Sequence, residues 1–307
     1  MSRAVIHESF GGPEVLELRD VPEPHANAGE LRVHVTAAGL NPMDWKLASM
    51  PDVARFFGYT VPSGFGYDLA GVVDEVGEDV AGFAVGERVY GGALGRAVAD
   101  YAVMKPKDVE HTPDGISDEV ASTLPVAGRT AVAALDAIGL HAGDTVLVGG
   151  AGGGVGVFVV QLAKLAGAAV IGTGSSGTFE FLRKLGAQPV AYGSGLADRV
   201  RAIAPDGVTA ATDLVGTETV EAALTLGVLP ERIATIAVGP NPPGGVRAIF
   251  GGSDAPAGAL ARITDAITAG KLSVPIAATF PVERIRDAVA LQRGGHVHGK
   301  IVITLRR

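Results

Sequence analysis

Apolar and polar residues follow two different rhythms along this chain of 307 residues. Up to about residue 110 they alternate singly. "ELRVHVTAAGL" and much of "YDLAGVVDEVG" place every second side chain on one face, the period of a half-buried strand. Turn-forming stretches, "GGPE", "PEPHANAGE" and "GEDVAGFAVGE", separate these runs. Short strands between frequent turns predict a compact β-barrel-like domain. "GISDEVASTLPVAGRTAVAALDAIGL" then turns helical, with Ser117 as N-cap before Asp118 and Glu119.

From Asp144 the rhythm changes. Strands are predicted at Thr145–Gly149, Ala169–Thr173, Pro189–Tyr192, Ala211–Val215 and Ile233–Val238. Helices are predicted between most of them, at Gly154–Ala166, Phe179–Leu185, Ala197–Ile203 and Glu218–Leu226. Apolar strands separated by helices predict a parallel sheet covered on both faces, an α/β class. "VRAIFGG" adds a sixth strand and "PAGALARITDAITAG" a last helix. The tail "VERIRDAVALQRGGHVHGKIVITL" supplies one further helix and strand.

The first strand of that series runs into "GGAGGGVG". Ala151, Gly153 and Gly156 fall where the three small residues of a G-x-G-x-x-G turn fall. The first serves the tight turn, the second the approach of a pyrophosphate, and the third the packing of helix on strand. The flanking strand, helix and second strand are the context such a turn requires. Amides of Gly154 and Val155 at the helix head suit a phosphate, and Gly152 completes the loop.

Composition narrows the chemistry. Hydrophobic residues make up 47% of the chain, enough for a large core, and the length fits about two domains. The formal charge is −8 without a basic run, which argues against nucleic acid and anionic membranes as partners. There is no cysteine, so disulfides, thiolate metal sites and cysteine nucleophiles are excluded, and a reducing, cytoplasmic location is expected. The uncharged run Thr145–Ala163 has the length of a bilayer span, but six glycines between Gly149 and Gly156 break it, so no membrane span is expected. His296 and His298 in "HVH" lack a third nearby ligand and read as surface histidines.

Across nearly its whole length the chain resembles the zinc-independent, quinone oxidoreductase-like branch of the medium-chain dehydrogenase/reductase superfamily. The resemblance is carried by "GGPEVLELRDVPEP", "VTAAGLNPMDWKL", "GYDLAGVVDEVGEDVAGFAVGERVYG", "LPVAGRTAVAAL", "VLVGGAGGGVGVFVVQLAKLAGA" and "GGHVHGKIVITL". It implies a GroES-like β-barrel catalytic domain over residues 1–118 and 271–307. A doubly wound Rossmann domain over 119–270 is inserted between the two parts. Positions that hold catalytic zinc in zinc-dependent members match Asn41, Tyr67 and Val126. Valine cannot ligate, and the other two are poor ligands, so no metal is expected.

Without metal, hydride transfer needs an electrophilic acceptor, such as a quinone or an α,β-unsaturated carbonyl. The resemblance makes NADPH the expected donor and a small quinone or enone the expected partner; a low-turnover nucleotide-binding protein of the same fold, regulatory or structural, and an enoyl reductase of thioester-bound acyl chains are the alternative readings. Catalytic candidates are Asn41, Asp44, Lys46 and Tyr67: Asn41 and Tyr67 to bond an oxygen, Asp44 and Lys46 to orient substrate or relay a proton. Thr130 matches a position near the nicotinamide. Gly216, Val238 and Gly239 end strands where open parallel sheets bind ligands. NADP(H) rather than NAD(H) is expected, because no acid stands between Ala168 and Thr178 to hold an adenosine ribose. Thr173, Ser175 and Ser176 offer hydroxyls instead. Tyr192 matches a relative's phosphate-side tyrosine, and Arg183 is placed to add charge. The loop itself lacks the lysine or arginine that relatives often carry. A homodimer is expected through the edge strand in "VRAIFGG".

Overall fold

The computed structural model describes residues 1–305, which divide into two compact units. One comprises Met1–Val126 and everything from Ile276 onward; the other is Ala127–Pro275. The expected boundaries at 118/119 and 270/271 lie a few residues earlier at each junction.

The first unit is built on antiparallel strands. Its larger sheet runs in the order Ile276–Pro281, Lys300–Thr304, Leu31–Leu40, Asp68–Val76, Arg88–Gly92, Val109–His111, and Tyr101–Met104 pairs with the start of Leu31–Leu40. Only the pair Ile276–Pro281 and Lys300–Thr304 is parallel in that sheet. A smaller sheet joins Glu17–Val21, Ser2–His7 and Ser63–Gly64. Leu31–Leu40 is buried along most of its length, not on alternate positions alone, because strands flank it on both edges and core lies on both faces. Val5, Val33, Leu69, Val73, Val89, Ile301 and Ile303 close the core. The two ends of this unit's sequence therefore share one hydrophobic interior.

The helical stretch after residue 115 is two helices, Asp118–Ala121 and Leu124–Ala137. The Ser117 side chain accepts from the Val120 amide and caps the first. The break comes where the chain presses on Leu31–Leu40: a Cβ on Gly39 would collide with the Ser122 carbonyl oxygen.

The second unit holds six parallel strands in the order Gln188–Ala191, Ala169–Gly174, Thr145–Gly149, Ala210–Asp213, Ile233–Thr235, Arg247–Ala248. Numbered along the chain this is 3-2-1-4-5-6, the doubly wound order with its switch point at the first strand. Helices Gly156–Leu165, Phe179–Leu185, Leu196–Ile203 and Thr217–Thr225 connect the strands, and Ala259–Thr268 follows. The "VRAIFGG" strand is confined to Arg247–Ala248.

Two strands stop short of their expected ends for a shared reason. Asp213 turns its carboxylate onto the amides of Val215 (3.2 Å) and Gly216 (3.0 Å) and accepts the Thr235 hydroxyl at 2.6 Å. Thr235 Oγ1 accepts in turn from the Ala237 amide. Side-chain bonds take over from the ladder, so the strands end at Asp213 and Thr235, and Val238 and Gly239 lie in the segment that follows. Among the described residues, no helix is long and apolar enough to cross a membrane.

Candidate active site

In the second unit the glycine turn is set by Gly150. Its φ of +70° is the left-handed value that favours glycine, so the tight turn falls one residue before the expected Ala151. Ala151 and Gly152 are buried, whereas Gly153, Gly154 and Val155 are half-buried. A Cβ on Gly156 would strike the carbonyl oxygen of Gly150, so the helix Gly156–Leu165 can approach the turn only through a glycine. A Cβ on Gly153 would meet only that oxygen, at ordinary contact distance, so this face of the turn is open. Among the described residues, the amides of Gly154, Val155 and Gly156 have no acceptor, as expected of a helix head. Such a head favours a phosphate.

Thr173, expected to face the adenosine side, is instead built into the turn. It is buried, and its Oγ1 accepts from the Gly150 amide at 3.0 Å. The hydroxyls beyond it remain outside. Ser175 Oγ lies 2.9 Å from Thr178 Oγ1, and Ser176 is exposed. In the parallel ladder Gly174 pairs with Ala191, so Ser175 and Tyr192 leave adjacent strands side by side. Tyr192 falls one residue past its strand and is 53% exposed. Arg199, which the sequence did not single out, grips the loop behind it. Its guanidinium donates to the carbonyls of Ala191 (3.0 Å), Ser194 (2.7 Å) and Gly193 (2.6 Å). Arg183 is exposed and stands over the Phe179 ring.

Thr130 is buried on its helix, facing Gly251: a Cβ on that glycine would stand 3.6 Å from Thr130 Oγ1. Gly216 starts the helix Thr217–Thr225 in extended geometry, and Gly239 has φ +80°.

In the first unit, Asn41 and Asp44 meet at the start of the helix Pro42–Ser49, where Asp44 accepts the Asn41 amide at 2.8 Å. Two residues the sequence reading missed complete the group. Asn41 Nδ2 donates to Asp68 at 2.8 Å and to the Gly39 carbonyl at 3.4 Å. Lys300 donates to Asn41 Oδ1 at 2.6 Å and to the Leu40 carbonyl at 3.0 Å. Asp68 also accepts the Val126 amide at 3.0 Å. Asn41, Asp44, Asp68 and Lys300 are all at most 3% exposed. Both ends of the Asn41 amide are thus held by protein, so it is not the free partner for a substrate or ribose oxygen that was expected.

Burial, reinforced by Asp68, pushes the Asp44 carboxyl up to about 7, against the pull of the Asn41 and Tyr67 amides and of Lys300. Burial also lowers Lys300, against the attraction of Asp68 and Asp44. Two carboxylates and one ammonium leave one negative charge unbalanced, and a proton near neutrality cancels it. Tyr67 is half-buried with its ring close to Gly92, where a Cβ would collide with it. Lys46 does not join the group; it is exposed and leans over Trp45.

Two sequence profiles match this chain: an alcohol dehydrogenase GroES-like domain over residues 27–114 and a zinc-binding dehydrogenase over 185–303. A chloroplastic quinone-oxidoreductase, QR1, of Triphysaria versicolor is 36% identical over 203 residues, 62% of this chain and 60% of that one. The chain thus spans less than two thirds of this curated relative, and 54% of a Pseudomonas aeruginosa quinone oxidoreductase. The quinone oxidoreductase structure from Coxiella burnetii superimposes with a TM-score of 0.87 at 31% identity, covering 99% of each chain. This chain belongs to the quinone oxidoreductase-like branch of the medium-chain dehydrogenase/reductase superfamily. The structure of a mycobacterial protein complexed with NADPH matches at TM-score 0.86 and 27% identity, over 99% of this chain and 100% of that one.

Zinc, implied by one profile's description, does not fit this member. Val126 has no donor atom, the Asn41 amide is engaged, and a buried ammonium lies 2.6 Å from its oxygen. No group of three His, Cys, Asp or Glu side chains able to hold a metal occurs among the described residues, and His296 and His298 belong to none.

Proposed function

We propose that this chain is an NADPH-dependent reductase that delivers hydride to a quinone or an α,β-unsaturated carbonyl without a catalytic metal. One observation carries the cofactor half: a dinucleotide turn with a free helix head is followed by a second strand that runs into Ser175 and Ser176, beside Tyr192, with no carboxylate. Bound NADPH supplies the hydride. Amides of Gly154 and Val155 hold the pyrophosphate, and Gly153 leaves it room. Ser175, Ser176 and Tyr192 bond the 2′-phosphate. Ala151, Gly152, Gly156 and Thr173 shape the turn, and Gly216, Val238 and Gly239 border the nicotinamide side with Thr130. Tyr67 presents a hydroxyl to the acceptor oxygen, which takes its proton from solvent. Arg183 and Lys46, both exposed, remain outside this assignment.

NADPH oxidation against a panel of small quinones and enones, after exhaustive chelation, tests the reading. Turnover that survives chelation is expected. Activity lost to the chelator and restored by zinc, or no turnover with any acceptor, overturns it. The protein is expected to be a homodimer joined at Arg247–Ala248, and a monomer by light scattering at micromolar concentration would count against that edge.

A further inference from the structure

We propose that Lys300 and Asp68 are positioning residues of the first unit's site, clamping Asn41 between them and fixing Tyr67 and Val126 through the same buried network. This deepens, and rests on, the reductase reading above. Lys300 Nζ enters from a strand near the end of the sequence and bonds Asn41 Oδ1 and the Leu40 carbonyl. Asp68 takes the opposite end of that amide, which sets its orientation, and also takes the Val126 amide. Asp44 accepts the amides of Asn41 and Tyr67. Asn41, Tyr67 and Val126, on three separate segments, are thereby cross-linked by Asp44, Asp68 and Lys300. No first- or last-turn capping need explains a buried ammonium here: it sits at a strand start and serves a side chain 259 residues away in sequence.

The arrangement is costly to isolate. A buried ammonium or carboxylate that loses its partner is left uncompensated, a large penalty. Lys300 and Asp68 hold opposite ends of the same Asn41 side chain, so that side chain loses the freedom to reorient. Three groups face Asp44: Asp68, Lys300, and the Tyr59 phenol. The phenol is bonded to His7 at 2.7 Å.

The test uses Lys300→Met, Asp68→Asn and the double variant in the full-length protein. Positioning predicts that kcat for quinone reduction falls about 10- to 100-fold in each single variant. The dissociation constant of NADPH, followed by its fluorescence, stays within about twofold, since the glycine turn is untouched. The titration of Asp44 reads whether the three groups share one buried network, and the kcat-against-Kd split reads positioning. Losing the ammonium should raise that titration and losing the Asp68 carboxylate should lower it, each by about one pH unit, with the double variant near wild type. The infrared band of the protonated carboxyl, assigned by its absence in Asp44→Asn, reads this without any turnover. Opposite shifts that cancel in the double variant support the clamp. Shifts of one sign, or single variants with wild-type kcat, overturn it. If Lys300→Met does not fold, Asp68→Asn and the double variant still decide the sign. Wild-type protein inert toward every acceptor would sink the reductase reading while leaving the infrared result standing.

Discussion

The hydroxyl of Thr173, at the end of one strand, accepts the amide of Gly150, at the end of its neighbour. A left-handed glycine turn needs an acceptor for its first amide, and here a side chain supplies it. Replacing Thr173 with Val keeps the shape and orphans that amide, at a cost of about 1–3 kcal/mol. In the function proposed above the turn serves the pyrophosphate common to both cofactors, so the Kd values for NADPH and NADH should rise together, by about fivefold for 1 kcal/mol. Isothermal titration of both cofactors checks this. A loss confined to NADPH would return Thr173 to the phosphate side.

Ser175→Asp should behave differently. A carboxylate beside the 2′-phosphate repels it and offers an acceptor to ribose hydroxyls. Wild type is expected to favour NADPH by about 1–3 kcal/mol, the scale of one or two hydrogen bonds. The variant should shift toward NADH. Equal wild-type affinities for the two cofactors would show that the missing acid has no bearing on the choice.

Arg199 makes a third case. Its three bonds to Ala191, Gly193 and Ser194 shape the loop that carries Tyr192, with no contact to the glycine turn among them. Arg199→Ala should weaken NADPH by about 3- to 10-fold, the worth of one such bond or a little more. NADH should be nearly unaffected. Matching losses for both cofactors would mean that the loop supports the whole fold.

Asp44 predicts a pH dependence of stability. Its folded carboxyl titrates near 7, above the ordinary 3.8. Between those values the folded state binds more protons than the unfolded state. This contribution therefore falls as pH rises, by at most about 1.4 kcal/mol per pH unit, and is exhausted above 7. Asp44→Asn keeps an oxygen acceptor for the Asn41 amide and removes the slope. Its Tm should fall less than that of wild type between pH 5 and 8, as calorimetry would show. Parallel curves would place the slope elsewhere.

The parallel strands and their connecting helices were legible because each is a continuous apolar run with turn signals at its ends. Their carboxyl ends were not, since Asp213 and Thr235 exchange ladder bonds for side-chain bonds that periodicity does not register. In the first unit, Asn41 and Asp44 stood out as neighbours in "GLNPMDWK". Asp68 and Lys300 stood in quoted motifs and passed unnoticed, because a buried charge is recognised by its partner and these partners are remote in sequence. The available signal was small: one acid opening the apolar run "DLAGVV", and one lysine opening "KIVITL".

The discontinuity of the first unit has a consequence in time. As the chain is made, Asp44 and Asp68 emerge early, and the strand bearing Lys300 follows only after the entire second unit. At ordinary elongation rates that gap is on the order of ten seconds or more. During it, two carboxylates designed for burial have no ammonium between them, and Leu31–Leu40 lacks its Lys300–Thr304 neighbour. The second unit, continuous in sequence, can close while the first waits. The first unit therefore cannot be completed until late, because Lys300 is synthesised after the residues it bonds.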